Sequence, residues 1–284
     1  MRGWTAAQPY LGACLKELGR YREAERLHPF GRFGSTDAMF PYKDENPTLR
    51  TPVVTIVMIG LNVAAWVVIQ GAGSPPSLVR SICELGLIPG ELLGRLPDGY
   101  EVPLGPDARC VLGQPLWITP FSSMFLHGGW FHLIGNMWFL WVFGNNVEDS
   151  MGRLRFFGFY LLTGLAAAAA QTFTSPSSPV PMVGASGAVS GVMGAYLLLY
   201  PFVRVHMLVF LGFFITTVAV PAWLMLIYWM LLQLLGSLVA GGGAGGGIAF
   251  MAHLGGFVAG AALIRLFAKP ELVRAHRRAF QLRA

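Results

Sequence analysis

Residues 156–203 read FFGFYLLTGLAAAAAQTFTSPSSPVPMVGASGAVSGVMGAYLLLYPFV, and no Asp, Glu, Lys or Arg interrupts them. A membrane-crossing helix needs about 20 largely apolar residues, and 156–173 supplies one. Ser175-Pro176-Ser177-Ser178-Pro179-Val180-Pro181 stops it, and a second helix over 184–200 ends at Pro201. Three further spans, 51–79, 110–147 and 205–264, are equally free of charge. Over the whole 284-residue chain, 54% of residues are hydrophobic, 12% are charged, and the mean hydropathy is +0.56. Soluble domains carry about 25% charged residues. The composition therefore describes an all-α polytopic membrane protein.

Turn signals divide the other spans. One helix is expected over 52–71, ending at the glycines and Pro75-Pro76, and a Gly- and Pro-rich loop of some forty residues follows. The segment 115–127, broken by Pro115 and Pro120, suits an interfacial position. A helix over 129–143 precedes a short charged loop from Glu148 to Arg155. Pro221 and the glycine run 241–247 separate an apolar piece at 205–220, a helix over 221–238 and a last helix over 250–267. With six helices and the N-terminus inside, eight Lys/Arg in 1–50, Arg153, Arg155, Arg204 and six in 265–284 lie inside. Only Arg80, Arg95 and Arg109 lie outside. This positive-inside bias rejects a seventh span at 205–220 and sets both termini in the cytoplasm. It also accounts for the net charge of +6 without a nucleic-acid partner.

The expected organisation is a cytoplasmic segment 1–50, a six-helix membrane domain 51–268 and a basic cytoplasmic tail 269–284, multi-pass in a bacterial cytoplasmic membrane. Residues 1–38 hold no apolar signal core, and the sequence from Met39 reads as a natural start, so 1–38 is expected to be an extension or a misassigned start. The spacing in 10–26 matches one helical-repeat unit, which cannot bury its own apolar face. Three cysteines exclude a disulfide framework and a four-cysteine zinc site. Cys83 and Cys110 share the outer loop, where pairing is open to them; Cys14 is expected to be a free thiol.

Few polar groups remain inside the charge-free spans, and each is costly in hydrocarbon unless paired or functional. His127, His132 and Asn136 fall on or just before the second helix, Ser186 and Ser190 on the fourth, and His253 on the sixth. In this topology those three helices enter from the outside, so His132, Ser186 and His253 share one depth, with Asn136 one turn below His132 on the same face. Each residue alone has a plainer explanation. Gly184 to Gly187 with Gly191 and Gly194, and Gly256 with Gly260, also describe close helix packing, and a lone histidine near a helix end also describes an interfacial anchor. The conjunction favours a nucleophile with its base, two donors for an oxyanion, and glycines that let the helices approach. No acidic residue lies on the helices concerned, so a Ser–His dyad is expected rather than a triad.

These residues resemble the rhomboid family of intramembrane serine proteases over about 51–267. His127-Gly-Gly-Trp-Phe-His132-Leu-Ile-Gly-Asn136 is similar to the family's second-helix motif, Gly184-Ala-Ser186-Gly187 to its GxSG, and Ala252-His253-Leu-Gly-Gly256-Phe-Val-Ala-Gly260 to its AHxxGxxxG. The resemblance implies a six-helix rhomboid-like bundle that cleaves transmembrane segments of other proteins in the bilayer, without cofactor or metal. It implies Ser186 as nucleophile and His253 as base. His132, Asn136 and the Ser186 backbone amide would bind the oxyanion. His127 would be structural, and Gly184, Gly187, Gly256 and Gly260 motif or packing residues. Two positions depart: Trp117 is followed by Ile118 where many members have arginine, and Ser190 stands where some carry an aromatic that packs on the histidine. The alternative is a non-catalytic relative that binds membrane clients. A small-solute transporter would need ionisable residues along a pathway, which the charge-free spans do not offer.

Overall fold

A computed structural model describes residues 39–105, 108–113, 116–211, 214–239 and 250–281. Residues 1–38, with the repeat-like stretch and Cys14, lie outside the described residues, as does the glycine run 241–247. The chain divides into two units. The smaller takes Met207–Val218 and residues up to Phe40; the larger takes Pro41–His206 and Ala219–Ala284 and holds every candidate site residue.

Strand β1 (Met39–Asp44) is followed by helix α1 (Val53–Ala64), which widens into a π-helical turn over Ala65–Ile69. The expected outer loop carries structure of its own. Helix α2 (Pro75–Leu85) starts with prolines in its first turn, α3 is the single turn Pro89–Leu92, and β2 (Glu101–Gly105) pairs antiparallel with β3 (Ala108–Val111), Val102 opposite Cys110. Cys83 and Cys110 form a disulfide beside a small core of Ile88, Val102 and Leu112. The single turn α4 (Thr119–Ser122) occupies the proline-broken segment.

Helix α5 (Trp130–Met151) runs eight residues beyond the expected end. The charged loop expected at Glu148 to Arg155 is absent, because its acids are buried and partnered. Glu148 accepts hydrogen bonds from the Val54 and Thr55 N–H groups at 3.1 and 2.8 Å and from the Thr55 hydroxyl at 2.9 Å. These donors belong to the first turn of α1, where a carboxylate also complements the helix dipole. Asp149 accepts from the Leu49 N–H at 2.7 Å and pairs with Arg50 at 3.3 Å. The reversal needs only Gly152, at φ 84°, before α6 (Arg153–Thr174).

Helix α7 (Ser186–Leu199) is buried almost all round. The piece 205–220, rejected above as a seventh span, forms strands β4 (Arg204–Leu211) and β5 (Phe214–Pro221), neighbours in a sheet; the β-branched Ile215, Thr216, Thr217 and Val218 favour extended backbone. Helices α8 (Ala222–Val239) and α9 (Phe250–Phe267) follow. The basic C-terminal segment, read as a tail, forms α10 (Pro270–Gln281), whose His276 is fully buried 5.0 Å from the Tyr200 ring.

Among the described residues, two helices, α6 and α9, are long and apolar enough to cross a membrane, where the sequence predicted six spans. The apolar parts of the others are shorter, at Val53–Ile69, Ser186–Leu199 and Ala222–Leu235, and α5 ends on buried acids. Helices α6, α7 and α9 pack closely. A β-carbon on Gly256 would overlap the Gly187 carbonyl oxygen, and one on Gly260 would overlap that of Gly191. Glycine thus sets the α7–α9 separation.

Candidate active site

Ser186 is the first residue of α7, and α9 brings His253 to it. His253 Nε2 lies 2.8 Å from Ser186 Oγ, hydrogen-bond distance for a hydroxyl donating to an imidazole. The approach depends on two glycine positions behind the pair. Gly256, three residues after His253, touches Gly187, the residue after Ser186. Gly184, two residues before Ser186, has φ 131°, which side-chain-bearing residues rarely adopt. A β-carbon there would lie 2.8 Å from the His132 imidazole.

His132 and Asn136 are supplied by α5, one turn apart on one face. His132 Nδ1 accepts the Gly128 N–H at 3.3 Å. That bond assigns the ring proton to Nε2, the edge turned toward Gly184. The Asn136 amide nitrogen is buried without a hydrogen-bond partner among the described residues, an arrangement folded proteins rarely leave without use. The α7 start adds backbone donors, since the first N–H groups of a helix have no acceptor within it. His127 is fully buried, its ring edge-on to His132 at 5.1 Å. Its backbone is clamped by Gln70, whose amide donates to the His127 carbonyl and accepts from the His127 N–H, both at 2.8 Å.

Ser186, His253, His132 and Asn136 line one cavity of about 890 Å³, bounded on one side by the loop Thr174–Gly184. That loop is fastened to the outer segment: Leu87 and Met182 exchange backbone hydrogen bonds at 3.0 and 2.7 Å, and the Gly90 N–H donates to the Ser178 carbonyl at 2.9 Å. Among the described residues, no three His, Cys, Asp or Glu side chains gather as a metal site.

Helix α8 contributes two residues that the sequence did not assign to the site. Gln233 Oε1 lies 3.0 Å from His253 Nδ1, and the Trp229 ring lies 5.8 Å from the His253 ring at a 41° tilt. Gln233 was the one glutamine in the charge-free span 205–264, and that was the available signal. Ser190, one turn after Ser186 on α7, donates to the Ser186 carbonyl at 2.6 Å. Trp117 and Ile118 are exposed, at 76% and 58%.

Fold and site together define a helical, partly membrane-embedded protein with a half-buried serine and a buried histidine, hydrogen-bonded to each other, facing a cavity. The chain belongs to the rhomboid family: a family model of the rhomboid domain matches residues 114–270. Similar curated proteins include Rhomboid-like protein 11, chloroplastic, of Arabidopsis thaliana, 38% identical over 28% of this chain and 28% of the relative. Rhomboid protease GluP of Bacillus subtilis (strain 168) is 35% identical over 34% of this chain and 18% of the relative. Putative rhomboid protease YdcA of the same organism is 33% identical over 30% and 43%. The chain thus spans well under half the length of these relatives. The protein is membrane-associated, and its relatives come from chloroplast, mitochondria and bacteria.

Proposed function

We propose that this protein is an intramembrane serine endopeptidase that cleaves transmembrane segments of other membrane proteins. The observation that carries the reading is the 2.8 Å hydrogen bond between Ser186 Oγ and His253 Nε2 at the wall of an open cavity. Ser186 Oγ attacks the scissile carbonyl carbon while His253 Nε2 takes its proton. The carbonyl oxygen becomes an oxyanion that His132 Nε2–H, the Asn136 amide and the Ser186 backbone N–H would stabilise. Donors set in place before charge develops lower the barrier without reorganisation. His253 then protonates the leaving amine, and water, activated by the same imidazole, releases the acyl group from Ser186.

Six membrane crossings with both termini in the cytoplasm, in a bacterial cytoplasmic membrane, complete the proposal. The distribution of Lys and Arg along the chain supports that topology. Helix α7 has 14 residues and α6 has 22, a difference of about 12 Å at 1.5 Å per residue. A helix that short leaves room above its first residue for the water that hydrolysis requires.

The test is cleavage of a transmembrane substrate by purified protein. Ser186→Ala and His253→Ala should each abolish it, and the double variant should lose no more, because the two act as a unit. Substantial cleavage by either single variant would remove the assignment, and a wild-type chain that binds the substrate intact would favour a client-binding role.

A further inference from the structure

The dyad reading leaves the second nitrogen of the histidine unexplained. An imidazole that accepts a proton at Nε2 must carry its own proton on Nδ1, and something has to hold that tautomer and ring angle. Serine hydrolases commonly use a carboxylate for this. Among the described residues, the cavity wall includes no Asp, Glu, Lys or Arg, and His132 on α5 is the one other titratable side chain that lines it. From α6 the wall offers Gly164, Ala167, Ala168, Gln171 and Thr174, and from α7 Ser186 and its neighbours, none of them an acid.

We propose that Gln233 is the positioning residue of this site: its side-chain carbonyl accepts the Nδ1 proton of His253 and fixes the imidazole with Nε2 free to act as base. The proposal rests on the dyad reading above. Its geometry is the 3.0 Å separation of His253 Nδ1 from Gln233 Oε1, on the far side of the ring from the 2.8 Å contact to Ser186. The two bonds use the two ring nitrogens in complementary senses, acceptor toward serine and donor toward glutamine. A neutral amide makes this contact with no counter-charge, whereas a carboxylate at the same position would draw its counter-charge from the imidazolium itself. In a low-dielectric site the amide dipole also favours the imidazolium that forms when Ser186 gives up its proton.

Trp229 completes the holder. It lies one turn before Gln233 on α8, the i, i+4 spacing that puts both side chains on one face, and its ring lies against the imidazole at 5.8 Å. The fourth residue after the nucleophile, which could have packed on the histidine, is Ser190, turned to the Ser186 carbonyl. Both of these contacts to the base come from α8, not from α7.

The experiment compares Gln233→Leu and Gln233→Glu in the full chain by two readouts. Cleavage kinetics should show kcat of Gln233→Leu lowered roughly 10- to 100-fold at unchanged KM, the cost of a misaimed catalytic group. Gln233→Glu keeps an acceptor at the same reach, so it should recover most of kcat. Its added negative charge should move the acid limb of the pH–rate profile to higher pH. Independently of catalysis, 15N spectra of the histidines, with His253 identified by difference against His253→Asn, should show the Nδ1–H tautomer in wild type and Gln233→Glu. In Gln233→Leu they should show a mixture of tautomers. Wild-type kcat and tautomer in Gln233→Leu, or a Gln233→Glu protein no better than Gln233→Leu, would overturn the assignment. A wild-type chain with the locked tautomer but no cleavage would sink the protease reading and leave the positioning intact.

Discussion

Gly256→Ala adds one methyl group where α9 meets α7, and the structure fixes what that methyl must do. Its position overlaps the carbonyl oxygen of Gly187, a backbone atom that cannot rotate away, and it also lies 3.4 Å from the Ala167 methyl. A β-carbon essentially never comes within 3.0 Å of a backbone atom of a neighbouring helix, so α9 has to move back. His253 is three residues before Gly256 on α9, and Ser186 immediately precedes Gly187, so the same movement separates the dyad. The Nε2–Oγ distance of 2.8 Å sits inside the roughly 2.6–3.2 Å reach that proton transfer needs. A misplacement of about 1 Å costs about 100-fold in rate, and overpacking costs about 1–3 kcal/mol of stability. Gly256→Ala should therefore stay folded while losing about two orders of magnitude in kcat. Gly158→Ala on α6, whose methyl meets only a Phe267 carbon at 3.9 Å, serves as the matched control. Cleavage rates and thermal unfolding of the two variants in one detergent make the measurement. A Gly256→Ala protein that cleaves at the wild-type rate refutes the claim that this contact sets the dyad.

In the proposed mechanism Asn136→Ala takes away one oxyanion donor, so kcat should fall about 10²- to 10³-fold, less than the loss of Ser186 or His253; unchanged kcat would exclude Asn136 from the site. Burial pushes the Asp44 carboxyl up to about 7, outweighing its hydrogen bonds from Tyr196 and Asn146. A group whose folded pKa is raised stabilises the fold fully below its unfolded value and loses that contribution as pH rises through the folded one. Thermal stability should fall between about pH 4 and pH 7 for this reason, and Asp44→Asn should flatten that slope; identical profiles for the two proteins would count against it.

Helices were legible where apolar runs ended at Gly or Pro: α6, α7 and α9 lie within a few residues of their expected bounds. The motifs also gave the residues that meet, because Ser186, His253, His132 and Asn136 are rare polar groups in apolar spans. What stayed hidden had physical causes. Glu148 and Asp149 looked like a loop, since charge normally seeks water, and only the structure shows the α1 N–H groups and Arg50 that satisfy them. The run 205–220 was read only for whether it spans the membrane, since it is apolar and charge-free, and it forms strands. Helix α2 had a readable start in Ser74 followed by two prolines, yet its length of Gly- and Pro-rich surroundings masked it. Gln233 was not legible because an acid is the usual partner of a catalytic histidine, whereas a neutral carbonyl meets the same need at lower desolvation cost.

The central claim is that Ser186 is activated by His253. Purified full-length protein exposed to a fluorophosphonate, followed by peptide mass spectrometry, tests it most directly. The account predicts one phosphonylated residue, Ser186, with labelling lost in His253→Ala. An unmodified Ser186 under conditions that label a known rhomboid protease run alongside, or equal labelling with and without His253, would contradict it.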